Sequence, residues 1–217
     1  MANLHAPQIA LPVHSGLIAR SGEFAQGRPV AQPPVFFSAG SEVYAQGERC
    51  KGLYRIEFGA VRVYRLLSDG RRQISAFHLA GETFGFEADN AHHFFAEAIC
   101  ATGIHIIHAS PTTSMSGELF PLALKSLVRA QEHLLVLGRQ NAIERIAAFL
   151  SDMAERQGGL KQVDLPMSRA DIGDYLGLTI ETVSRVFSRL KQKGVIRLPS
   201  LRCVEIAKWQ VLQDLAA

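Results

Sequence analysis

The amino-acid sequence predicts an α+β protein: an N-terminal antiparallel β-roll of the jelly-roll type, a long dimerisation helix and a C-terminal winged helix-turn-helix. Three patterns support this prediction. Short β-type runs separated by glycines fill the first half, and a long segment with apolar residues at intervals of three and four follows. Two short amphipathic segments then meet at a glycine. With 217 residues, 47% of them hydrophobic, the chain can form the required cores.

The elements follow one another in four stretches. Residues 1–33 carry scattered prolines without a sustained period, which predicts a flexible leader. In residues 34–110 the runs GLYRIEF, AVRVYRLL, QISAFHL and GIHIIHA are separated by glycine turns, which favours a small antiparallel barrel or jelly roll. Residues 111–138 are assigned to the dimerisation helix and residues 139–217 to the winged helix-turn-helix.

The segment PLALKSLVRAQEHLLVLGRQNAIERIAAFLSDMAERQG is too long for one ordinary globular helix. Gly138 and the polar residues after it predict a break between helices at about 120–137 and about 142–156. The first helix would expose an apolar stripe, which a second copy of the chain would cover in a coiled coil; packing against the roll of the same chain is the alternative. The predicted dimer interface consists of Leu124, Leu127, Val128, Leu134 and Leu135.

The stretch DIGDYLGLTIETVSRVFSRL predicts two helices joined by a tight turn. Ser168, three residues before Asp171, is placed to cap the first helix, and Gly177 to end it. Thr179 is placed to cap the second helix, and Gly173 is small where the helices would touch. Four residues give the second helix an inward face at helical spacing: Val183, Val186, Phe187 and Leu190.

The opposite face of the second helix carries side chains suited to base edges. An arginine can bind guanine with two hydrogen bonds, a glutamate can accept from cytosine, and a serine can do either. The predicted base-contacting residues are therefore Glu181, Ser184 and Arg185; an ordinary solvated helix face is the alternative. Residues predicted to contact the DNA backbone or support the helix are Ser168, Thr179, Thr182, Ser188, Arg189 and Lys191. The following KQKGVIRLPSLRCVEI predicts a wing, and six basic residues within eighteen positions would neutralise phosphates.

These residues resemble the CRP/FNR superfamily of bacterial transcription regulators over nearly the whole chain. The sequence Glu181-Thr182-Val183-Ser184-Arg185 resembles the recognition helix of the FNR type. The resemblance implies a homodimer that binds double-stranded DNA at a palindrome close to TTGAT-N4-ATCAA and recruits RNA polymerase. A CRP-type site is disfavoured because Ile180 stands where that type carries a basic residue.

The resemblance also implies that the roll of residues 34–110 is a cyclic-nucleotide-binding-like sensor or effector domain. Gly81, Glu82 and Gly85 match the phosphate-cassette region of cyclic-nucleotide binders, but the following HHFFAEA has no arginine. Its two phenylalanines and Glu97 imply a filled pocket that repels phosphate. Three cysteines, none before residue 50, do not match the iron–sulfur ligands of FNR. The chain thus resembles the FixK branch, which implies an activator of microaerobic, respiratory or nitrogen-fixation genes that needs no cofactor.

Two other functions remain open at this point. A haem-based sensor of nitric oxide or oxygen would use histidines such as His78, His92, His93, His105 and His108, although His105 and His108 are predicted on opposite faces of a strand. A ligand-binding regulatory module acting through protein contacts is the second. An enzyme is not expected, because no GxSxG, Walker loop or HExxH occurs. Unpaired cysteines and the absence of a signal or membrane segment predict a cytoplasmic protein without membrane contact.

Overall fold

The computed structural model describes residues 33–108, 116–139 and 141–216. Apart from residue 33, the predicted leader lies outside the described residues. The first described part is a roll of two four-stranded antiparallel sheets, in the orders β1-β8-β3-β6 and β2-β7-β4-β5. Its strands are β1 (Val35–Phe37), β2 (Glu42–Tyr44), β3 (Leu53–Phe58), β4 (Ala60–Leu66), β5 (Arg72–Leu79), β6 (Thr83–Phe84), β7 (Phe95–Ala98) and β8 (Thr102–Ile107).

The roll encloses a core between its two sheets. Ile56, Val61 and Ile104 are fully buried there, beside the rings of Tyr54 and Phe84. Alternate residues of β3 and β7 are buried, as expected for strands with one face on a core. The tight join between β3 and β4 requires Gly59, whose φ is +88° and whose added Cβ would lie 2.4 Å from the Thr102 hydroxyl oxygen.

Two helices follow the roll: α1 (Ser116–Leu137) and α2 (Ala142–Arg156). The predicted break at Gly138 lies between them, and the predicted bounds of the second helix agree with α2, whereas α1 begins four residues before the predicted residue 120. The Asn141 side chain caps α2 by accepting a hydrogen bond from the Ile143 amide. One face of α2 is buried because its apolar residues recur at helical spacing, and that face supports the elements that come next.

The last part is a winged helix-turn-helix. It consists of β9 (Gln162–Asp164), α3 (Arg169–Leu176), α4 (Ile180–Gln192), β10 (Ile196–Ser200), β11 (Cys203–Ile206) and α5 (Trp209–Ala216). The strands form an antiparallel sheet in the order β10-β11-β9. The predicted fold class, with roll, long helix and winged helix-turn-helix in that order, is confirmed.

The second hydrophobic core joins the roll to the winged helix. Ile74 and Phe77 of β5 belong to the same buried cluster as Phe149 of α2, Ile172 of α3 and Phe187 of α4. The outer face of one roll sheet is therefore continuous with the core beneath the helix-turn-helix. None of the helices in the described ranges combines the length and the apolar character needed to cross a membrane.

Candidate nucleic-acid interface

The first helix of the pair, α3, begins with a reciprocal cap. The Ser168 hydroxyl accepts from the Asp171 amide at 3.1 Å, and the Asp171 carboxylate accepts from the Ser168 amide at 2.9 Å. Two amide groups that the first helical turn leaves without partners are thus satisfied. Asp171 is only 3% exposed, so the cap is enclosed by the surrounding structure.

The turn between the helices depends on two glycines. Gly177 ends α3 in the left-handed conformation at φ +64°, and Leu178 donates back to the Gly173 carbonyl. Gly173 lies where the turn passes closest to α3: a Cβ there would stand 2.6 Å from the Leu178 carbonyl oxygen. The turn can therefore pack directly on the backbone of α3, which fixes how closely α4 approaches it.

The second helix, α4, has one buried and one exposed face. Thr179 caps it by accepting from the Thr182 amide at 3.2 Å. Val183 and Val186 point inward together with Phe187 and Leu190, all at most 7% exposed. This apolar stripe determines which side chains are left to face solvent.

Three exposed residues on the N-terminal half of α4 were predicted to contact bases. Glu181, Ser184 and Arg185 are exposed and line one shallow surface depression together with Ile180 and Ser188. The Glu181 carboxyl pKa is lowered by a hydrogen bond from its own amide, by one from Thr179 and by the charge of Arg185. Glu181 therefore presents an ionised acceptor beside an arginine that offers a fork of donors.

Three of the predicted supporting residues, Thr182, Ser188 and Arg189, line this depression or the one that adjoins it at Arg185. Thr182 and Ser188 lie on α4 beside Arg185. Arg189 and Lys191 occupy the last turn of α4, where the negative end of the helix dipole stabilises cations. Sequence patterns gave no indication of a further contact: the Arg169 guanidinium carbon lies 3.4 Å from the centre of the Phe187 ring. Burial lowers the pKa of Arg169 to about 10.

The wing strands β10 and β11 extend beside α4. Arg197 pairs with Glu205 at 2.7 Å, and Arg202 donates to the Pro166 carbonyl, so these two cations already have partners within the protein. Leu201 at the wing tip is 90% exposed. Cys203 is 8% exposed, which agrees with a buried structural thiol more than with a reactive one.

The long helix α1 has two different sides. Arg129 reaches the roll at Glu82, and Val136 packs against the core under the helix-turn-helix. The five residues predicted to form a dimer interface lie on the other side and are between 44% and 72% exposed: Leu124, Leu127, Val128, Leu134 and Leu135. The residues Phe120, Leu124, Leu127, Gln131 and Leu134 alternate in spacing by four and three, which is typical of a coiled-coil seam, and Val128 and Leu135 lie beside this series.

Aromatic rings fill the interior of the roll. His92 is buried and stacks on Tyr44 with 3.6 Å between ring centroids, and Tyr54 and Phe84 pack against the same stack. The Nε2 atom of His92 lies 3.3 Å from the Tyr54 hydroxyl. The filled interior was expected, but these rings come mainly from β2, β3, β6 and the segment before β7.

One expectation about HHFFAEA is wrong. Glu97 and Phe95 lie on the face of β7 opposite to the core residue Ala96, because successive side chains of a strand alternate. Glu97 pairs there with Arg62 rather than facing a phosphate site, and Phe95 stacks on Tyr64. Of the two phenylalanines, only Phe94 packs against the interior.

The histidines considered for haem or metal have individual partners. His93 pairs with Asp89, His105 with Glu57, and His108 with the Lys51 carbonyl; His108 lies just beyond β8. Within the described ranges, no group of three or more potential metal-binding side chains is assembled.

Sequence patterns also missed a group of charged residues that joins the roll to α3. Arg62 and Arg72 from β4 and β5 contact Asp171 and Asp174 of α3 at distances from 2.6 to 3.1 Å. The only indication in the sequence is the spacing of the two aspartates, three residues apart on one helix face. Their partners lie about one hundred residues earlier, and no local pattern connects the two.

Comparison with known proteins agrees with this architecture. A Crp-like helix-turn-helix domain model matches residues 144–215, and a cyclic nucleotide-binding domain model matches residues 34–110. The nitrogen fixation regulation protein FixK of Rhizobium meliloti is 56% identical over 179 residues, which cover 82% of this chain and 85% of the relative. The FixK protein of Azorhizobium caulinodans is 40% identical over 194 residues, covering 84% and 78%.

Solved structures give the same result. The structure of FixK2 from Bradyrhizobium japonicum superposes with a TM-score of 0.79 at 40% identity, covering 87% of this chain and 98% of that one. TTHB099, a CRP-family transcriptional regulator from Thermus thermophilus, gives a TM-score of 0.69 at 26% identity, covering 84% and 96%.

A roll followed by a long helix and a winged helix with an exposed polar recognition face defines a DNA-binding regulator. The chain belongs to the CRP/FNR family of transcription regulators, and within it to the neighbourhood of the FixK proteins. The resemblance stated from the sequence is thereby confirmed.

Proposed function

We propose that the chain is a homodimeric transcription regulator that recognises a palindrome close to TTGAT-N4-ATCAA and controls microaerobic, respiratory or nitrogen-fixation genes. One observation carries the DNA-recognition part: Glu181, Ser184 and Arg185 share a single exposed depression on α4, opposite its buried apolar stripe. The similarity to FixK relatives, which are nitrogen fixation regulation proteins, supports the assignment to nitrogen-fixation genes. The protein acts by binding and not as an enzyme.

Each base-contacting side chain has a defined partner in this proposal. Arg185 donates two hydrogen bonds to the guanine of TTGAT, Glu181 accepts from the cytosine paired with that guanine, and Ser184 contacts a thymine. The side chains are compatible with these roles because Glu181 is ionised and Arg185 is exposed next to it. The residues proposed to contact the DNA backbone or to support the helix are Ser168, Thr179, Thr182, Ser188, Arg189 and Lys191.

The dimer follows from the stripe on α1. Five apolar side chains, each at least 44% exposed, are costly to leave in water, and their coiled-coil spacing suits a second copy of the same helix. A two-fold dimer presents two α4 helices to a palindrome whose half-site centres lie about nine base pairs apart, close to one turn of DNA. In this arrangement residues 34–110 form the roll, residues 111–138 the dimerisation helix and residues 139–217 the DNA-binding domain.

The proposal includes control without a cofactor and activation through RNA polymerase. The stack of Tyr44, Tyr54, Phe84 and His92 occupies the roll interior and supports the first point. Activation is tested by transcription in vitro with RNA polymerase from a promoter that carries the palindrome. The reactions with and without the purified protein are compared. Increased transcript without any added small molecule is expected; no increase would contradict activation.

A binding titration tests recognition directly. The full-length protein is titrated at fixed salt concentration with the palindrome and with a duplex changed at the guanine of each half-site. Changing a base pair in each half-site should weaken binding by about 1 to 3 kcal/mol for each guanine lost. Equal affinities for both duplexes would remove the sequence-specific part of the proposal.

A further inference from the structure

The roll contacts the DNA-binding part at α3 and also at α2, where Arg156 pairs with Glu82 and donates to the Phe77 carbonyl. Strand β5 packs on α3, whereas α4 packs on α3, α2 and β10. The contact through α3 is therefore one of two by which the roll can influence the orientation of the recognition helix α4. Any side chain that fixes α3 on the roll also fixes where α4 points relative to the dimer axis.

Arg72 is the centre of this contact. Its Nη2 atom lies 2.6 Å from Asp171 Oδ1 and 2.9 Å from Asp174 Oδ2, and its Nε atom lies 3.1 Å from the same Asp174 oxygen. The next residue, Gln73, donates to the Asp174 backbone carbonyl at 2.7 Å. These charge-assisted contacts hold both the side chains and the backbone of α3.

Arg62 extends the contact across the sheet. It donates to Asp171 at 3.1 Å and pairs with Glu97 of the neighbouring strand, so Asp171 receives two arginines on one oxygen. The other Asp171 oxygen accepts from the Ser168 amide and hydroxyl at the cap of α3. A single carboxylate, 5% exposed, thus joins the start of α3 to two strands of the roll.

We propose that Arg72, through Asp171 and Asp174, is a positioning residue for DNA binding. It holds α3, and with it α4, at the orientation in which the two recognition helices of a dimer match two half-sites. The inference rests on the proposed DNA recognition by α4. It adds that the roll serves as a fixed support for the recognition helix through this ion-pair cluster.

Loss of the cluster has a specific consequence for binding. A helix-turn-helix that samples several orientations is competent for a palindrome only part of the time, and its apparent affinity falls by that fraction. Binding to one half-site uses the base-contacting face of α4, which Arg72 does not touch. The variant Arg72→Gln should therefore lose affinity for the palindrome, by about tenfold if one orientation in ten remains competent.

The experiment compares four duplexes at one salt concentration: the palindrome with a four-base-pair spacer, the same half-sites with a six-base-pair spacer, a single half-site and a scrambled sequence. Arg71→Gln is the matched control, because it removes the same charge one residue away. Arg71 pairs with Asp69, and both are largely exposed in the hairpin after β4. Any loss of long-range electrostatic attraction to DNA would be common to Arg72→Gln and Arg71→Gln.

We expect Arg72→Gln and Asp174→Asn to lose palindrome affinity and the preference for the four-base-pair spacer, with half-site affinity unchanged. The double variant Arg72→Gln/Asp174→Asn should bind the palindrome no more weakly than Arg72→Gln alone, because both changes remove the same contact. Arg71→Gln should behave as wild type. Should Arg72→Gln fold poorly, Asp174→Asn, on a side chain 34% exposed, gives the same comparison with Asp69→Asn as its charge-matched control.

Two results would overturn the inference. One is a palindrome affinity and spacer preference of Arg72→Gln equal to those of Arg71→Gln, and of Asp174→Asn equal to those of Asp69→Asn. The other is an equal loss on the single half-site, which would assign the cluster to folding of the helix-turn-helix. A wild-type protein that binds the palindrome no better than the scrambled duplex would instead refute the proposed function.

Discussion

Gly173 offers a test of how closely the turn packs on α3. In Gly173→Ala the added Cβ would meet the Leu178 carbonyl oxygen at 2.6 Å, well inside normal contact. Neither partner can rotate away, because one is helix backbone and the other is turn backbone. Overpacking of this kind costs about 1 to 3 kcal/mol. Alanine also favours the helix over glycine by about 1 kcal/mol, which offsets part of that cost.

The matched control is Gly117→Ala in α1, where a Cβ meets nothing within 4 Å. Both variants replace glycine by alanine within a helix, so a larger loss of unfolding free energy in Gly173→Ala than in Gly117→Ala reports the contact at Gly173. We expect Gly173→Ala to be less stable than Gly117→Ala by about 1 to 3 kcal/mol in urea unfolding at one protein concentration. Equal stability of the two variants would refute the close approach of the turn to α3.

Two further predictions concern α1. Leu134→Lys should raise the dimer dissociation constant by at least about a hundredfold, because each subunit loses one buried leucine at about 1.5 to 3 kcal/mol. Sedimentation of this variant should show monomers. The control Leu122→Lys, outside the apolar stripe, should leave the dimer intact. His133 stacks on Tyr175, and burial lowers its pKa to about 4, below the value near 6.5 of the unfolded chain. The unfolded state therefore binds more protons between these values, and stability should fall as pH drops from about 6.5 to 4. Between pH 7 and pH 5 the urea midpoint of His133→Phe should change less than that of the wild-type protein. The same pH dependence of the midpoint in both proteins would contradict the burial of His133.

The features that could be predicted from sequence are local. The caps at Ser168 and Thr179, the left-handed Gly177 and the break at Gly138 depend on neighbours within four residues, so the pattern of the chain already contains them. The exposed stripe on α1 follows in the same way from helical spacing.

The features that could not be predicted depend on residues distant in the chain. Arg72 and Asp171 are 99 positions apart, and only the packing of β5 on α3 brings them together. The expectation for Glu97 failed for a related reason. Its face of β7 is decided by the register with β4, and a shift of one residue reverses every side chain of a strand.

In the proposed function, Arg185 confers recognition of the guanine in TTGAT. The most direct measurement is a binding cycle in which the wild-type protein and Arg185→Ala are each titrated with the palindrome and with the guanine-changed duplex. Wild type should prefer the palindrome, and Arg185→Ala should bind both duplexes alike, with about 1 to 3 kcal/mol lost per half-site and an unchanged dimer. Undiminished discrimination by Arg185→Ala would contradict the assignment.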